Sequence, residues 1–212
     1  MSQAKLTRRN PALALALVAA AGCTAAYADD RPSHRDPDRK FSVDVVADCN
    51  RFTSEGIGHP SANPKFGDYF MQEGLIYKGG TLARHCPNGD GCGLNPDGSP
   101  QFPEAVIGKW TCYGSFVGKG AGTAQGTWVY TTQVYEFNAQ QIEPNVFAPG
   151  KHAIISQGPE RNDLKTPWQR AVNGGYGKFQ GALGEVVQTK IGFNPTTCEN
   201  FTFDFTFEVG RR

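Results

Sequence analysis

The chain has 212 residues, of which 39% are hydrophobic and 19% are charged, and its formal net charge is +1. This length suits one domain of ordinary size and excludes a large multidomain enzyme, while the balanced charge gives no support for a nucleic-acid partner, which needs a basic face. Phenylalanine outnumbers leucine by 14 to nine, and four of the leucines lie in the first 17 positions, so the composition argues against an all-α fold and favours strands.

The first 28 residues have the features of a secretory signal peptide. Lys5, Arg8 and Arg9 supply a positive start. The apolar run at 11–21 is too short to span a bilayer, and Ala-Tyr-Ala at 26–28 is a small-x-small cleavage signature. We therefore expect a secreted or periplasmic protein without a membrane span; the alternative is a buried N-terminal helix.

The segment after the predicted cleavage site is expected to be disordered. Cleavage after Ala28 removes three basic residues and leaves a net charge of 18 − 20 = −2. Residues 29–40 are nearly all charged or proline, so they cannot bury apolar surface and form a charged lead-in. A single domain is then expected over 41–212.

Eight stretches of this domain have the character of strands. Turn-forming clusters of Gly, Pro, Asn and Asp separate them, and no stretch of helical periodicity with a cap occurs. The last stretch is the clearest, because four phenylalanines and a valine alternate with polar residues over nine positions. The eight predicted strands are 41–48, 68–77, 105–117, 127–137, 151–157, 167–173, 182–193 and 201–209.

Eight mostly antiparallel strands predict an all-β fold, an eight-stranded antiparallel β-barrel. Closure into a barrel removes the exposed edges, and eight strands enclose an interior that side chains fill or that holds one small ligand. A two-sheet sandwich is the alternative. The connection at 83–104 is long for a hairpin, and it is either a lid or a surface feature held by cysteines.

Two cysteines in that connection are expected to form a local disulfide. Cys86 and Cys92 bracket a turn-forming Pro-Asn-Gly-Asp-Gly sequence, and export permits disulfides. The alternative is a zinc site that adds His85 and a fourth ligand such as His59, but no Cys-x-x-Cys pair supports it. We therefore predict no metal.

Barrel closure predicts a second disulfide, between Cys49 and Cys198. In an up-and-down barrel with an even number of strands, the first and last strands are antiparallel neighbours. The end of the first strand then lies beside the start of the eighth. Cys112 remains as the odd thiol in the third strand, either a small apolar filler or a reactive group.

Two glycine-rich stretches resemble nucleotide-binding loops but lack their required features. Gly118–Thr123 has Gly where a phosphate loop has Ser or Thr after Lys. The run at 174–184 has Gln180 where the third glycine of a dinucleotide motif belongs, and a strand follows it. Hydrolase and metalloprotease motifs do not occur in the sequence, so no cofactor is predicted.

The segment 171–186 resembles the glycine-rich hairpin of the allene oxide cyclase and dirigent-like barrels. The matching positions are Gly174, Gly175, Gly177, Lys178, Phe179, Gly181, Ala182 and Gly184. Upstream, residues 108–117 followed by 126–137 are similar to the central strands of secreted bacterial members, and the resemblance covers about residues 68–209. The glycines let the chain turn sharply and bring two backbones close at a barrel corner.

The resemblance implies an apolar barrel cavity that holds one flexible molecule in a folded shape. Plant members cyclise an unstable fatty-acid epoxide or steer the coupling of phenoxy radicals, and some bacterial relatives catalyse polyketide cyclisations. It therefore implies a small hydrophobic ligand, a cyclase or isomerase activity, and a homo-oligomer, dimer or trimer. The alternatives are a non-catalytic ligand-binding barrel and a structural envelope barrel whose interior is filled.

Barrel geometry nominates residues for the cavity. Trp110, Cys112 and Phe116 share one face of the third strand, and Tyr130 is an aromatic of the fourth. We expect these side chains to line the cavity or to fill the core.

Three charged residues are candidates for catalysis. Glu73 lies mid-strand among apolar residues, and Arg170 and Glu185 lie on the strands that flank the glycine hairpin. If Arg170 and Glu185 both face inward, they form a buried pair, or Glu185 has a raised pKa and acts as an acid. The alternative is two solvated charges or a surface ion pair of little energetic value.

Overall fold

The computed structural model describes residues 39–54, 65–117, 128–143, 146–161 and 163–210. Its strands are β1 (Arg39–Ser54), β2 (Tyr69–Lys78), β3 (Val106–Phe116), β4 (Trp128–Phe137), β5 (Gln141–Glu143), β6 (Val146–Phe147), β7 (His152–Arg161), β8 (Pro167–Tyr176), β9 (Leu183–Phe193) and β10 (Glu199–Glu208). Eight of them close into a barrel in the order β1-β10-β9-β8-β7-β4-β3-β2, and all neighbours are antiparallel. The prediction of an eight-stranded antiparallel barrel is confirmed.

Three of the segments discussed from the sequence lie wholly or largely outside the described residues. The signal peptide at 1–28 and the lead-in up to residue 38 lie outside the described residues, as does the glycine stretch at 118–123. Arg39 and Lys40, the last two residues of the predicted lead-in, already belong to β1. Among the described helical segments, none has the length and apolar character to cross a membrane.

The barrel closes where β1 and β10 pair along their length. Val43 lies opposite Phe203, and Val45 opposite Phe201. The alternating phenylalanines of β10 are buried, whereas Asp204 and Thr206 between them are exposed. Because paired residues of antiparallel strands share a face, the phenylalanines and the β1 valines enter one core.

The glycine hairpin between β8 and β9 turns through a short 3-10 segment, Gly177–Phe179. Gly177 has φ of +64°, and a Cβ there would lie 2.3 Å from Nδ1 of His152 and 2.6 Å from the carbonyl of Lys151. Only glycine allows this left-handed turn and this close approach to β7. The turn carries Phe179 into the core, where the ring is 4% exposed.

The long connection between β2 and β3 covers the outer wall of the barrel. It contains helix α1 (Thr81–His85), and its side chains form a second apolar cluster with outward residues of β1 and β2. Leu82 and Leu94 are fully buried there, and the Tyr77 hydroxyl donates to the carbonyl of Gly93 at 2.6 Å. We call residues 79–105 the outer layer; it is a surface feature held by cysteines.

Both predicted disulfides are confirmed. Cys49–Cys198 joins β1, just past its last pair with β10, to the residue before β10, with a Cα–Cα distance of 5.2 Å. Cys86–Cys92 crosslinks the outer layer with a Cα–Cα distance of 6.2 Å. Cys112 is a buried free thiol in β3. The first pairing follows from the neighbouring positions of the first and last barrel strands.

Candidate functional site

A cavity of about 470 Å³ lies at the end of the barrel where β1 begins. We call it the mouth cavity. It is lined by Arg39, Lys40, Phe41, Ser42, Val43, Lys78, Gly79, Ile107, Phe137, Lys178 and Phe179. Four of these side chains, Phe41, Ile107, Phe137 and Phe179, form an apolar floor that belongs to the barrel core.

Aromatic rings pack closely in this floor. Phe41 stacks on Phe205 with ring centroids 5.0 Å apart and meets Phe137 edge-on at 5.9 Å. Phe137 lies 5.3 Å from Phe179. Such offset and edge-on pairs stabilise a rigid apolar surface, so this end of the barrel is shaped before any ligand arrives.

The rim of the mouth cavity is basic. Lys40, Lys78 and Lys178 are exposed, and Arg39 lies beside them. The Lys178 ammonium lies 4.8 Å from the ring centroid of Phe179 and 5.8 Å from that of Phe137. The described residues that line the cavity include no carboxylate, imidazole or thiol, so the charged groups that it offers beside its apolar surface are the basic side chains of the rim.

A buried ion pair lies deeper in the barrel, between Arg170 of β8 and Glu160 of β7. The Arg170 side chain has no exposed surface, and its Nη1 atom lies 3.4 Å from Oε2 of Glu160. The guanidinium also donates to Oγ of Ser156 at 3.2 Å and to the carbonyls of Gly158 and Thr131 at 3.3 and 3.0 Å. These partners compensate for the desolvation of the charge.

Neutral polar side chains surround the carboxylate of Glu160. It accepts hydrogen bonds from the Thr131 hydroxyl at 2.8 Å and from the Gln133 amide at 3.1 Å. The same amide donates to Oε1 of Gln188 at 3.0 Å, and Oε1 of Gln133 accepts from the Trp110 indole at 3.2 Å. We call this cluster, which is completed by Arg170, Ser156 and Tyr135, the polar network.

Cys112 lies at the edge of the polar network, with its sulfur 4.0 Å from Oε1 of Glu160. Burial raises the pKa of the Cys112 thiol well above its usual range, the Glu160 charge raises it further, and Arg170 opposes this only in part. Burial also raises the pKa of the Tyr135 hydroxyl. Because the thiolate is the reactive form of cysteine, Cys112 fits the interpretation as a filler of the core.

The structure does not bring Arg170 and Glu185 together. Arg170 pairs across the sheet with Val186, whereas Glu185 pairs with Ala171 on the outer face. There the Glu185 carboxylate accepts a hydrogen bond from the Gln169 amide. From the sequence, Arg170 is a candidate but its partner Glu160 is not, because the predicted strand 151–157 ends before Glu160, whereas β7 continues to Arg161.

Glu73 lies on the outer wall of the barrel, between two cations. It accepts hydrogen bonds from Lys109 at 3.0 Å and from Arg51, and Lys109 lies 3.6 Å from Glu136. Burial raises the pKa of Glu73, but Lys109 and Arg51 outweigh it, so the net pKa is lowered. A carboxylate held ionised by two cations stabilises the wall and has little capacity to donate a proton.

The four residues predicted to line the cavity lie in three different parts of the barrel. Trp110 and Cys112 face the interior beside the polar network, and Phe116 packs 5.1 Å from Phe70 near the opposite end of the barrel. Tyr130 is 55% exposed and lies on the outer face, because Val129 and Thr131 on either side of it face inward. None of the four lines the mouth cavity.

The residues of the cavity floor are not among those predicted from the sequence. The sequence signals for this floor were weak, since Phe137 ends β4 and Phe179 lies inside the glycine hairpin.

The residues of the zinc alternative have other partners. Cys86 and Cys92 are joined as a disulfide, and His85 stacks on Phe102 with ring centroids 4.3 Å apart. Within the described ranges, no group of three His, Cys, Asp or Glu residues is arranged to hold a metal ion.

No protein-family model matches the chain, and no curated protein sequence matches it. Several solved structures match the chain by their fold. The pterocarpan synthase dirigent protein PsPTS1 matches with a TM-score of 0.52 and 12% identity, over 84% of this chain and 98% of that protein. The pterocarpan synthase dirigent protein GePTS1 matches with a TM-score of 0.51 and 11% identity, over 82% and 90%. The chain therefore has the dirigent and allene oxide cyclase type of barrel fold.

Proposed function

We propose that this protein is a ligand-holding barrel that binds a small apolar molecule in the mouth cavity. The observation that carries the proposal is the cavity of about 470 Å³ with its floor of Phe41, Ile107, Phe137 and Phe179. Its volume falls within the range of about 300–1,000 Å³ that is usual for small-molecule sites. The floor is part of a closed barrel, so little ordering is required on binding.

Two further features belong to the proposal. Two disulfides fit an oxidising compartment, in agreement with the export that residues 1–28 predict. The outer face of β2–β4 exposes Tyr69, Met71, Tyr113 and Tyr130, a surface that suits contact with a second copy of the chain.

Holding without catalysis is the use that the mouth cavity supports best, because its described lining has no acid–base group beyond the rim cations. A cyclase or isomerase is the second candidate. The observation that favours it is the polar network, where Glu160 and Arg170 form a buried ion pair. Such a site could orient and stabilise a reacting molecule that reaches this depth of the barrel.

A neutral fluorescent probe, N-phenyl-naphthylamine, tests the proposal by its increase in emission on binding. We expect saturable binding to the full chain and its loss in Ile107→Trp, because the larger ring fills the cavity. Ile142→Trp is the matched control, since Ile142 is exposed in β5 and does not line the cavity.

The melting temperature of each variant shows whether the fold is retained. Binding that is equally strong in the wild type and in a folded Ile107→Trp variant would place the probe elsewhere and refute the proposed site.

A further inference from the structure

The charged side chains that line the mouth cavity, among the described residues, are all basic. Arg39, Lys40, Lys78 and Lys178 line it, and within the described parts of the chain no carboxylate forms an ion pair with Lys40, Lys78 or Lys178. Ser42, which also lines the cavity, donates a hydrogen bond to Asp204, an exposed residue of β10. Like charges that converge on one opening repel each other unless an anion lies between them.

The positions of these lysines follow from the barrel register. Lys78 pairs with Val43, an inward residue, so it occupies an inward position at the end of β2. Lys178 lies in the hairpin turn, where its ammonium contacts the faces of Phe137 and Phe179. The Lys178 ammonium therefore borders the apolar floor directly, and Lys78 lines the same cavity from the end of β2.

An apolar wall beside a cation strengthens its attraction for an anion, because the wall excludes water on one side and lowers the effective dielectric constant. The same wall binds an apolar group by the hydrophobic effect. The mouth cavity thus combines two recognition surfaces within one opening, an aromatic floor and a cationic rim.

We propose that the ligand of the mouth cavity is an amphipathic anion. Its apolar body packs on Phe41, Phe137 and Phe179, and its carboxylate, sulfonate or phosphate group is bound by Lys78 and Lys178, with Lys40 adjoining. This inference rests on the proposed function and deepens it, because it assigns the chemical class of the molecule that is held.

Two probes that share a ring skeleton test the inference. Anilinonaphthalene sulfonate differs from N-phenyl-naphthylamine by an anionic sulfonate. We expect the anionic probe to bind the full chain more tightly than the neutral one, with an affinity that falls as salt is added. In Lys78→Met/Lys178→Met, we expect the affinity for the anionic probe to fall about tenfold while that for the neutral probe is kept.

Lys65→Met is the matched control, because Lys65 is exposed and lies beyond the opposite end of β2. Equal binding of the two probes by the wild type, or an unchanged preference for the anion in the double variant, would overturn the inference and leave the ligand-holding proposal intact. Binding of neither probe would overturn both.

Discussion

At the scale of single residues, the most consequential feature is a charge pair enclosed by the barrel. Glu160 and Arg170 are both almost inaccessible to water, and each has several further hydrogen-bond partners. A buried pair of this kind adds little net stability compared with an apolar pair, but the loss of one member is costly because a charge is left unpaired.

Arg170→Met tests this asymmetry. The variant leaves the Glu160 carboxylate in the interior without its cation, so we expect the free energy of unfolding to fall by about 3–5 kcal/mol. Arg170→Met/Glu160→Gln removes both charges and should recover most of that loss. Urea denaturation measures both, and equal midpoints for the wild type and the single variant would contradict a buried ion pair.

At the scale of elements, the outer layer depends on a carboxylate beneath helix α1. Asp44 of β1 accepts a hydrogen bond from the backbone of Leu82 at 2.7 Å. Burial raises the pKa of Asp44 above its ordinary value of 3.8, and the backbone hydrogen bonds of Leu82, Gly80 and Thr81 lower it only in part. A raised pKa in the folded state means that folding favours the protonated form.

Asp44→Asn should therefore change how stability depends on pH. The contribution of Asp44 is fully present below pH 3.8 and is lost as the pH rises through its folded pKa. The variant removes this dependence, so we expect its melting temperature relative to the wild type to be higher at pH 7 than at pH 3.

The control is Asp97→Asn in the same layer, where hydrogen bonds from Ser99 lower the pKa of an exposed carboxyl. Its contribution is lost as the pH falls, so its pH dependence should have the opposite sign. The same sign in both variants would show that Asp44 does not titrate as described.

At the scale of the whole molecule, the two disulfides differ in how much chain they enclose. Cys49–Cys198 spans 149 residues and fastens the seam at which the barrel closes, whereas Cys86–Cys92 spans six. A crosslink restricts the unfolded chain more when its loop is longer.

Replacement of each pair by alanine should show this difference. By the chain-entropy relation, the loss of Cys49–Cys198 costs about 5 kcal/mol and the loss of Cys86–Cys92 about 2 kcal/mol. Chemical denaturation of the two double variants measures the ranking. A larger loss for Cys86–Cys92 would indicate that the disulfide acts through the packing of the outer layer and not through the unfolded chain.

The strands and their closure into a barrel follow from the pattern of residues along the chain. The period of two in β10 fixes a strand with one buried face, and eight such strands in antiparallel order place the first beside the last, so Cys49 and Cys198 could be paired from the sequence. The limits of the strands do not follow from the pattern in the same way: the fifth predicted strand ends at residue 157, whereas β7 continues to Arg161 and includes Glu160.

The side chains that face the barrel interior, by contrast, depend on the three-dimensional pairing of the strands. The direction of a side chain depends on the register between strands, and a slip of one residue reverses it. This register turned Arg170 inward and Glu185 outward, and it placed Tyr130 on the surface. The mouth cavity is lined by side chains from β1, β2, β3, β4 and the glycine hairpin. Because these segments are far apart in the chain, no local sequence pattern shows that they meet at one end of the barrel.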